Sequence, residues 1–367
     1  MITYKGGENS LYIPDSERKY LEDSECNILI FNWERWCFHE TDWCTFPNTN
    51  TSTVSVGELI EEIKEYDICF FVISEMIVQN LLFHASINDN LPTIDTLFEE
   101  MSKLNVVYLC LSEDSNFPID KSKSLNMPWF TDKKIYISEN TTSDFDYRQK
   151  DFTFNMLLGS ERKHRTKIFE SLRHNSYMYS SYMGHAYHVK NSDTHLDTGD
   201  IISSLTDQDL SMKLNTMEKI KREDINYCIS HIVPETIYNN THFDIVTESQ
   251  PKRNGLHFTT EKTGKPIAAG RFFIWYNSPH KVEYLRQFGF ELQDYMCGYD
   301  QIIDDYDRLD AIFTLVREIG NNENYIKKIY EDTKEARIHN QEVYNKLKKT
   351  YHIRLVDWMT SEVNKIL

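Results

Sequence analysis

The sequence predicts an α/β protein of two Rossmann-like domains facing across a cleft, with helices closing its C-terminal end. Three observations carry this. Short runs rich in Ile, Phe and Val alternate with segments of helical period, the pattern of βαβ units around a parallel sheet. The alternation stops in a polar stretch, Ser138 to Lys150, and resumes at Asp151. The 367 residues suffice for two domains of ordinary size, each with its own core. The domains are expected at 1–150 and 151–340, with a helical segment at 341–367.

In the first domain, Asn27 to Asn32 (NILIFN), Asp67 to Ile73 (DICFFVI) and Asn105 to Leu111 (NVVYLCL) read as strands, being as continuously apolar as parallel strands buried on both faces must be. Between them Gly57 to Tyr66 and Thr93 to Leu104 have helical period, and Lys134 to Ile137 is a further short strand. The second series opens with a strand at Phe152 to Leu158, a loop around Gly159 and Ser160, a helix from Arg162 to His174, and a strand at Tyr177 to Tyr182. Gly184 to Asp209 is polar and without period, as expected of a long surface loop. Short helices follow at Met212 to Arg222 and Pro234 to Asn239.

Next comes a buried strand beginning at Phe243, then a helix that starts around Thr259 to Lys262 and is closed by Gly270. A second apolar strand and a helix ending at Gly289 complete this unit. Arg308 to Ile319 is amphipathic, and Asn324 to Lys349 and Val356 to Ile366 read as two long closing helices.

Composition excludes several classes. With 40% hydrophobic and 13% aromatic residues, the chain is a folded globular protein rather than a disordered one. Its apolar runs fall far short of the ~18 residues of a membrane span. The start, with Lys5, Glu8 and Asp15, lacks a signal-peptide core, so a soluble, cytoplasmic protein is expected. Seven cysteines without a CxxC pair suit a reducing compartment. Residues 1–150 hold 26 acidic and 12 basic side chains, so −14 of the total −17 lies there and −3 in the remainder. Such a surface disfavours unaided binding to a phosphate backbone.

Two constellations carry chemistry. In the first, Ser160, Arg162, Lys163, His164 and Arg165 lie where a strand gives way to a helix, a setting that favours an anionic phosphate. In the second, Thr259 or Thr260 can cap a helix and Glu261 suits its first turn. Lys262 does not suit it, since a cation at the positive end of a helix is unfavourable, and a bound anion would explain it. Gly264 and Pro266 also weaken a helix interior, unless the helix starts later with Pro266 in its first turn.

TTEKTGKPIAAGRFFI resembles the donor-binding segment of GT-B-fold glycosyltransferases, particularly the fucosyltransferase-like ones, in which an aromatic residue and Thr-Glu-Lys open a helix. LLGSERKHRTKIFESL is similar to that family's arginine-bearing strand-loop-helix, and together the two segments cover about residues 151–320. The resemblance implies that Arg165 contacts the donor diphosphate with Lys262 beside it. It also implies that Thr260 and Glu261 belong to the donor site, Glu261 on the ribose, and that Phe258 stacks near the base. Gly264 departs from the bulky residue usual there, and Phe258 from the common tyrosine.

No cofactor or metal is expected. A metal-dependent transferase would show an Asp-x-Asp after an apolar strand, and Asp144/Asp146, Asp207/Asp209 and Asp305/Asp307 match only in spelling. His185, His188 and His195 read as loop histidines, and Cys37, His39 and Cys44 as a weak zinc pattern. In the acidic half, WERWCFHETDWC offers Trp33, Trp36 and Trp43 as an aromatic wall. The acceptor hydroxyl must lose a proton, and the candidate bases are Glu75, just past a strand where open α/β sheets place functional groups, then Glu40, then His39.

The function expected is transfer of a sugar from a nucleotide sugar to a hydroxyl, on a carbohydrate acceptor, without an obligatory metal. Two alternatives stand. The chain is poor in Gly and Pro and rich in Asn, Tyr and Lys, which resembles large-phage proteins, some of which glycosylate hydroxymethylated cytosine. Arg148, Lys150, Lys163, Lys167, Lys252 and Arg253 would then line a groove for DNA, inside a host cytoplasm. The other alternative is a non-enzymatic sugar-binding or scaffold protein.

Overall fold

A computed structural model describes residues 1–5, 15–32, 36–37, 52–53, 56–73, 94–111, 113–114, 119–128, 130, 135, 137, 141, 144–158, 165, 167–168, 171–172, 182–185, 233–248, 256–257, 259–292, 298–320 and 322–367. The fold is α/β, with parallel sheets and covering helices. It divides into two compact units, one of Met1–Trp129 with Lys349–Leu367, the other of Phe130–Lys348. Residues 130–150, which the sequence assigned to the first domain and its link, therefore group with the second unit.

In the first unit β1 (Ile2–Lys5), α1 (Asp15–Glu22), β2 (Ile28–Asn32), α2 (Val56–Ile63), β3 (Ile68–Ile73), α3 (Ile94–Ser102), β4 (Val106–Cys110) and β5 (Ser124–Asn126) follow in order. The five strands pair in parallel in the order β1-β2-β3-β4-β5. The apolar runs are explained by burial on both faces. On one, Ile30, Phe70, Val72 and Leu109 share a core with Tyr351, Leu355, Met359 and Val363 from the end of the chain. On the other, Phe71 and Tyr108 pack edge-on and tilted against Phe98 of α3. Of the strand expected at Lys134–Ile137 only Ile135 and Ile137 are described; both lie outside any strand, and Ile135 is buried in the core of the second unit.

The second unit runs β6 (Phe152–Leu158), β7 (Tyr182–His185), α4 (Glu235–Asn240), β8 (Thr241–Thr247), α5 (Glu261–Ala268), β9 (Phe273–Tyr276), α6 (Lys281–Arg286) and α7 (Asp305–Ile319). Between β6 and β7, Arg165, Lys167, Ile168, Ser171 and Leu172 are helical. Of the strand expected at Tyr177 to Tyr182 only Tyr182 lies among the described residues; it opens β7, in which Gly184 and His185 pair with Leu157 and Leu158 instead of opening a loop. The sheet is parallel, in the order β7-β6-β8-β9. The chain thus leaves β6 to one side for β7 and returns on its other side for β8. That reversal makes the carboxyl ends of β6 and β8 the switch point where open α/β sheets bind ligands.

The last helix, α8 (Glu323–Asn364), is one element of 42 residues, where two helices were expected. No Gly or Pro interrupts it, so nothing in its sequence forces a break. Its residues to Lys348 group with the second unit and its last turns with the first. Gly270 holds φ +66°, and a Cβ there would lie 2.4 Å from Phe145 Cε1. Around this turn Arg337 donates to the carbonyls of Asp144, Phe145, Gly270 and Tyr330.

Candidate functional site

Arg165, in the helical residues after β6, is 1% exposed, and its Nη2 donates to the carbonyl of Thr247, the last residue of β8, at 3.3 Å. A buried guanidinium therefore stands at the switch point. Directly after β8 comes Glu248, which is fully buried. Its Oε1 accepts from Thr260 N at 3.0 Å and from Thr263 Oγ1 at 2.6 Å, and its Oε2 from Thr260 Oγ1 at 2.6 Å. One carboxylate thus ties the end of β8 to the first turn of α5.

That first turn begins where the sequence placed it. Thr260 is the N-cap in extended conformation, and its hydroxyl accepts from Lys262 N at 3.2 Å while it donates to Glu248. The later start is overturned: α5 opens at Glu261, and Pro266 lies inside it. Gly264 has a packing reason. A Cβ there would meet Phe130 Cδ2 at 3.3 Å, and Phe130 is itself stacked on Tyr344, so an aromatic ring from elsewhere in the unit fills the space that a bulky side chain would take.

Lys262 needs a different explanation from the one expected. Its Nζ donates to Glu261 Oε1 at 2.7 Å and to Thr260 Oγ1 at 3.2 Å. The unfavourable cation at the helix start is thus offset by Glu261 and by Glu248 behind it, without an outside anion. Arg165, Thr260, Glu261 and Lys262 do gather at one edge of one sheet. Phe258, Glu75, Glu40 and His39 lie outside the described residues, as do His188, His195, His39 with its neighbouring Cys44, and Asp207/Asp209.

Glu248 is the residue that the sequence did not single out. The criterion that selected Glu75, a carboxylate just past the end of a buried strand, applies to it equally.

One strand further along the edge, β8 and β9 stay in register to Thr247 and Tyr276, and Glu248 N still donates to Tyr276 O at 3.2 Å. Beyond β9, Asp300 accepts from the backbone N–H groups of Lys281 and Val282, each at 3.1 Å. Burial is the main cause that raises the Asp300 carboxyl to about 6, against the lowering pull of those two hydrogen bonds. Lys281 is fully buried, its Nζ 4.8 Å from the Tyr284 ring and 6.0 Å from that of Trp275. At the start of α7, Asp305 takes Tyr276 Oη at 3.0 Å and Arg308 Nη2 at 2.6 Å. Lys167 Nζ lies 3.8 Å from the Tyr306 ring.

The opposite edge, where β8 begins, holds a different set of charges. Asp144 meets Lys150 Nζ at 2.8 Å and Tyr330 Oη at 2.9 Å, and Arg271 bonds Asp244 at 2.6 Å. Burial leads the causes that lower Lys150 to about 8. These residues lock α4, β8 and α8 together. Two sequence patterns dissolve here: Asp144 faces Lys150 inside the protein while Asp146 pairs with Lys334, and buried Lys150 cannot line a groove for DNA.

Chemically, the β6–β8 edge combines a buried guanidinium with a helix turn that presents a carboxylate and an ammonium side by side. Such a set can hold a phosphate and accept hydroxyl protons together. Compared with protein-family models and with curated proteins, the chain matches neither a family nor a protein. No described helix is long and apolar enough to cross a membrane.

Proposed function

We propose that the chain is a glycosyltransferase of the GT-B kind, whose second unit binds a nucleotide sugar at the carboxyl edge of β6 and β8 and whose first unit presents a carbohydrate hydroxyl. One observation supports this above the others: Arg165, from one of the two segments that resemble a family's donor signatures, donates to Thr247 O at 3.3 Å, and the next residue, Glu248, accepts from Thr260 of the other segment, so both border the same topological switch point. Fold alone would not carry the reading.

In this mechanism Arg165 offsets the charge that develops on the leaving diphosphate, acting from a dry site where the interaction is strong. Glu261 accepts hydroxyl protons of the ribose, and Lys262 turns part of its hydrogen bonding from Glu261 to a phosphate oxygen. Glu248 holds Thr260 and Thr263, and through them the turn that carries both. A carboxylate or histidine of the first unit, with Glu75 the first candidate before Glu40 and His39, takes the acceptor proton.

A screen of nucleotide sugars, with product and released nucleoside diphosphate read by mass spectrometry, tests the activity. Nucleotide binding by Arg165→Lys and Lys262→Ala tests the site. Arg165→Lys should weaken binding by about 10-fold or more, because an ammonium cannot replace a two-pronged guanidinium. Turnover of no donor, together with parent-like binding by both variants, would refute the proposal.

A further inference from the structure

We infer that the carboxyl end of β9 is a nucleobase subsite that selects a keto base, an inference that rests on nucleotide-sugar binding in the second unit. Among the described residues, four buried polar side-chain atoms have no hydrogen-bond partner at the end of β8, just before α5, and in and just after β9: Thr247 Oγ1, Thr259 Oγ1, Trp275 Nε1 and Asn277 Nδ2. Buried polar groups are rarely left so, and a bound ligand would supply the missing partners.

Two of the four define what that ligand offers. Trp275 is 2% exposed and its indole N–H can only donate. Asn277 is 3% exposed, and its Oδ1 is occupied by Ser278 N at 2.7 Å, which fixes the orientation of the amide and leaves Nδ2 as the donor without a partner. Trp275 lies in β9 and Asn277 immediately follows its last residue, Tyr276. What meets them must accept.

The local charge argues for a neutral acceptor. Lys281 stands beside Trp275, but Asp300, bound to the backbone of Lys281 and Val282, accompanies it. Phosphate has its cations one strand away, at Arg165. A keto oxygen carries two lone pairs and no charge. Uracil and guanine place one where cytosine and adenine place an amino group, which would set donor against donor and leave the buried N–H groups unpaired.

Isothermal titration of the full chain with UDP, GDP, CDP, ADP and pyrophosphate tests this, alongside Trp275→Phe and Asn277→Asp. The parent should bind UDP or GDP at least about 10-fold more tightly than CDP and ADP. Each variant should cut that ratio at least about fivefold and leave pyrophosphate binding unchanged, because the base contacts are removed and the phosphate contacts are not. Equal affinity for the four nucleotides, or an unchanged ratio in either variant, overturns the subsite and leaves the donor site standing. Loss of pyrophosphate binding in both variants also overturns it, since the residues then serve the fold. If the parent binds neither pyrophosphate nor any nucleotide, the donor-site proposal falls and the subsite with it.

Discussion

Replacing Glu248 by Ala removes the acceptor of three buried hydrogen bonds, from Thr260 N, Thr260 Oγ1 and Thr263 Oγ1. A hydrogen bond to a charged group contributes about 1.5–3 kcal/mol, and each donor left buried without a partner costs about 1–3 kcal/mol. The three share one carboxylate, so they do not add, and Thr260 Oγ1 keeps its contact with Lys262 N. A loss of about 3–5 kcal/mol is expected, as for other broken buried charge contacts. Glu248→Gln keeps one acceptor oxygen and should lose roughly half as much. Urea unfolding followed by circular dichroism reads both, with unchanged m-values showing that the folded and unfolded states remain comparable. An unfolding free energy for Glu248→Ala within about 1 kcal/mol of the parent would refute the role given to this carboxylate.

Two other perturbations test different parts of the second unit. Burial depresses His242 from 6.5 to about 4, with Lys150 the next cause. The fold therefore holds the neutral ring, and stability is full above the unfolded value. It falls as the pH drops from about 6.5 to about 4, by up to about 3 kcal/mol. His242→Phe should flatten that part of the stability profile relative to the parent, and parallel profiles would count against it. Gly270→Ala should cost about 2–4 kcal/mol in chemical denaturation, combining a left-handed backbone with the clash on Phe145; a loss under about 1 kcal/mol would show that the turn relaxes.

Most of the fold was legible because its strands are buried on both faces. Ile28–Phe31, Ile68–Ile73 and Val106–Cys110 are buried throughout, and their apolar runs announced them. β1 and β5 form the two edges of the same sheet and escaped notice, being short and, at Ser124–Asn126, only half buried, so they carry little hydrophobic signal. The single α8 was split because its apolar pattern changes along its length, which reflects the two cores that it serves rather than a break in the backbone. At the site, the cap on Thr260 followed from residue type and position. The partner of Lys262 did not, since neighbours in sequence do not ordinarily face each other on a helix, and Glu261 meets it only at the loose first turn. Nor did the Thr260–Glu248 bond, whose partners lie 12 residues apart and come together only through the return of the chain from β8 to α5.

The course of α8 bears on how the protein is made. The strands of the first unit emerge from the ribosome before the second unit, yet the side of its sheet that carries Ile30, Phe70, Val72 and Leu109 is completed by Tyr351, Leu355, Met359 and Val363, which follow the whole of the second unit in the chain. Vectorial folding, in which N-terminal domains finish first, is therefore closed to it. That apolar surface waits for its cover until the second unit has been made, and a chain that stops short of residue 351 would keep it bare. The half of the protein that starts first is the one that must wait.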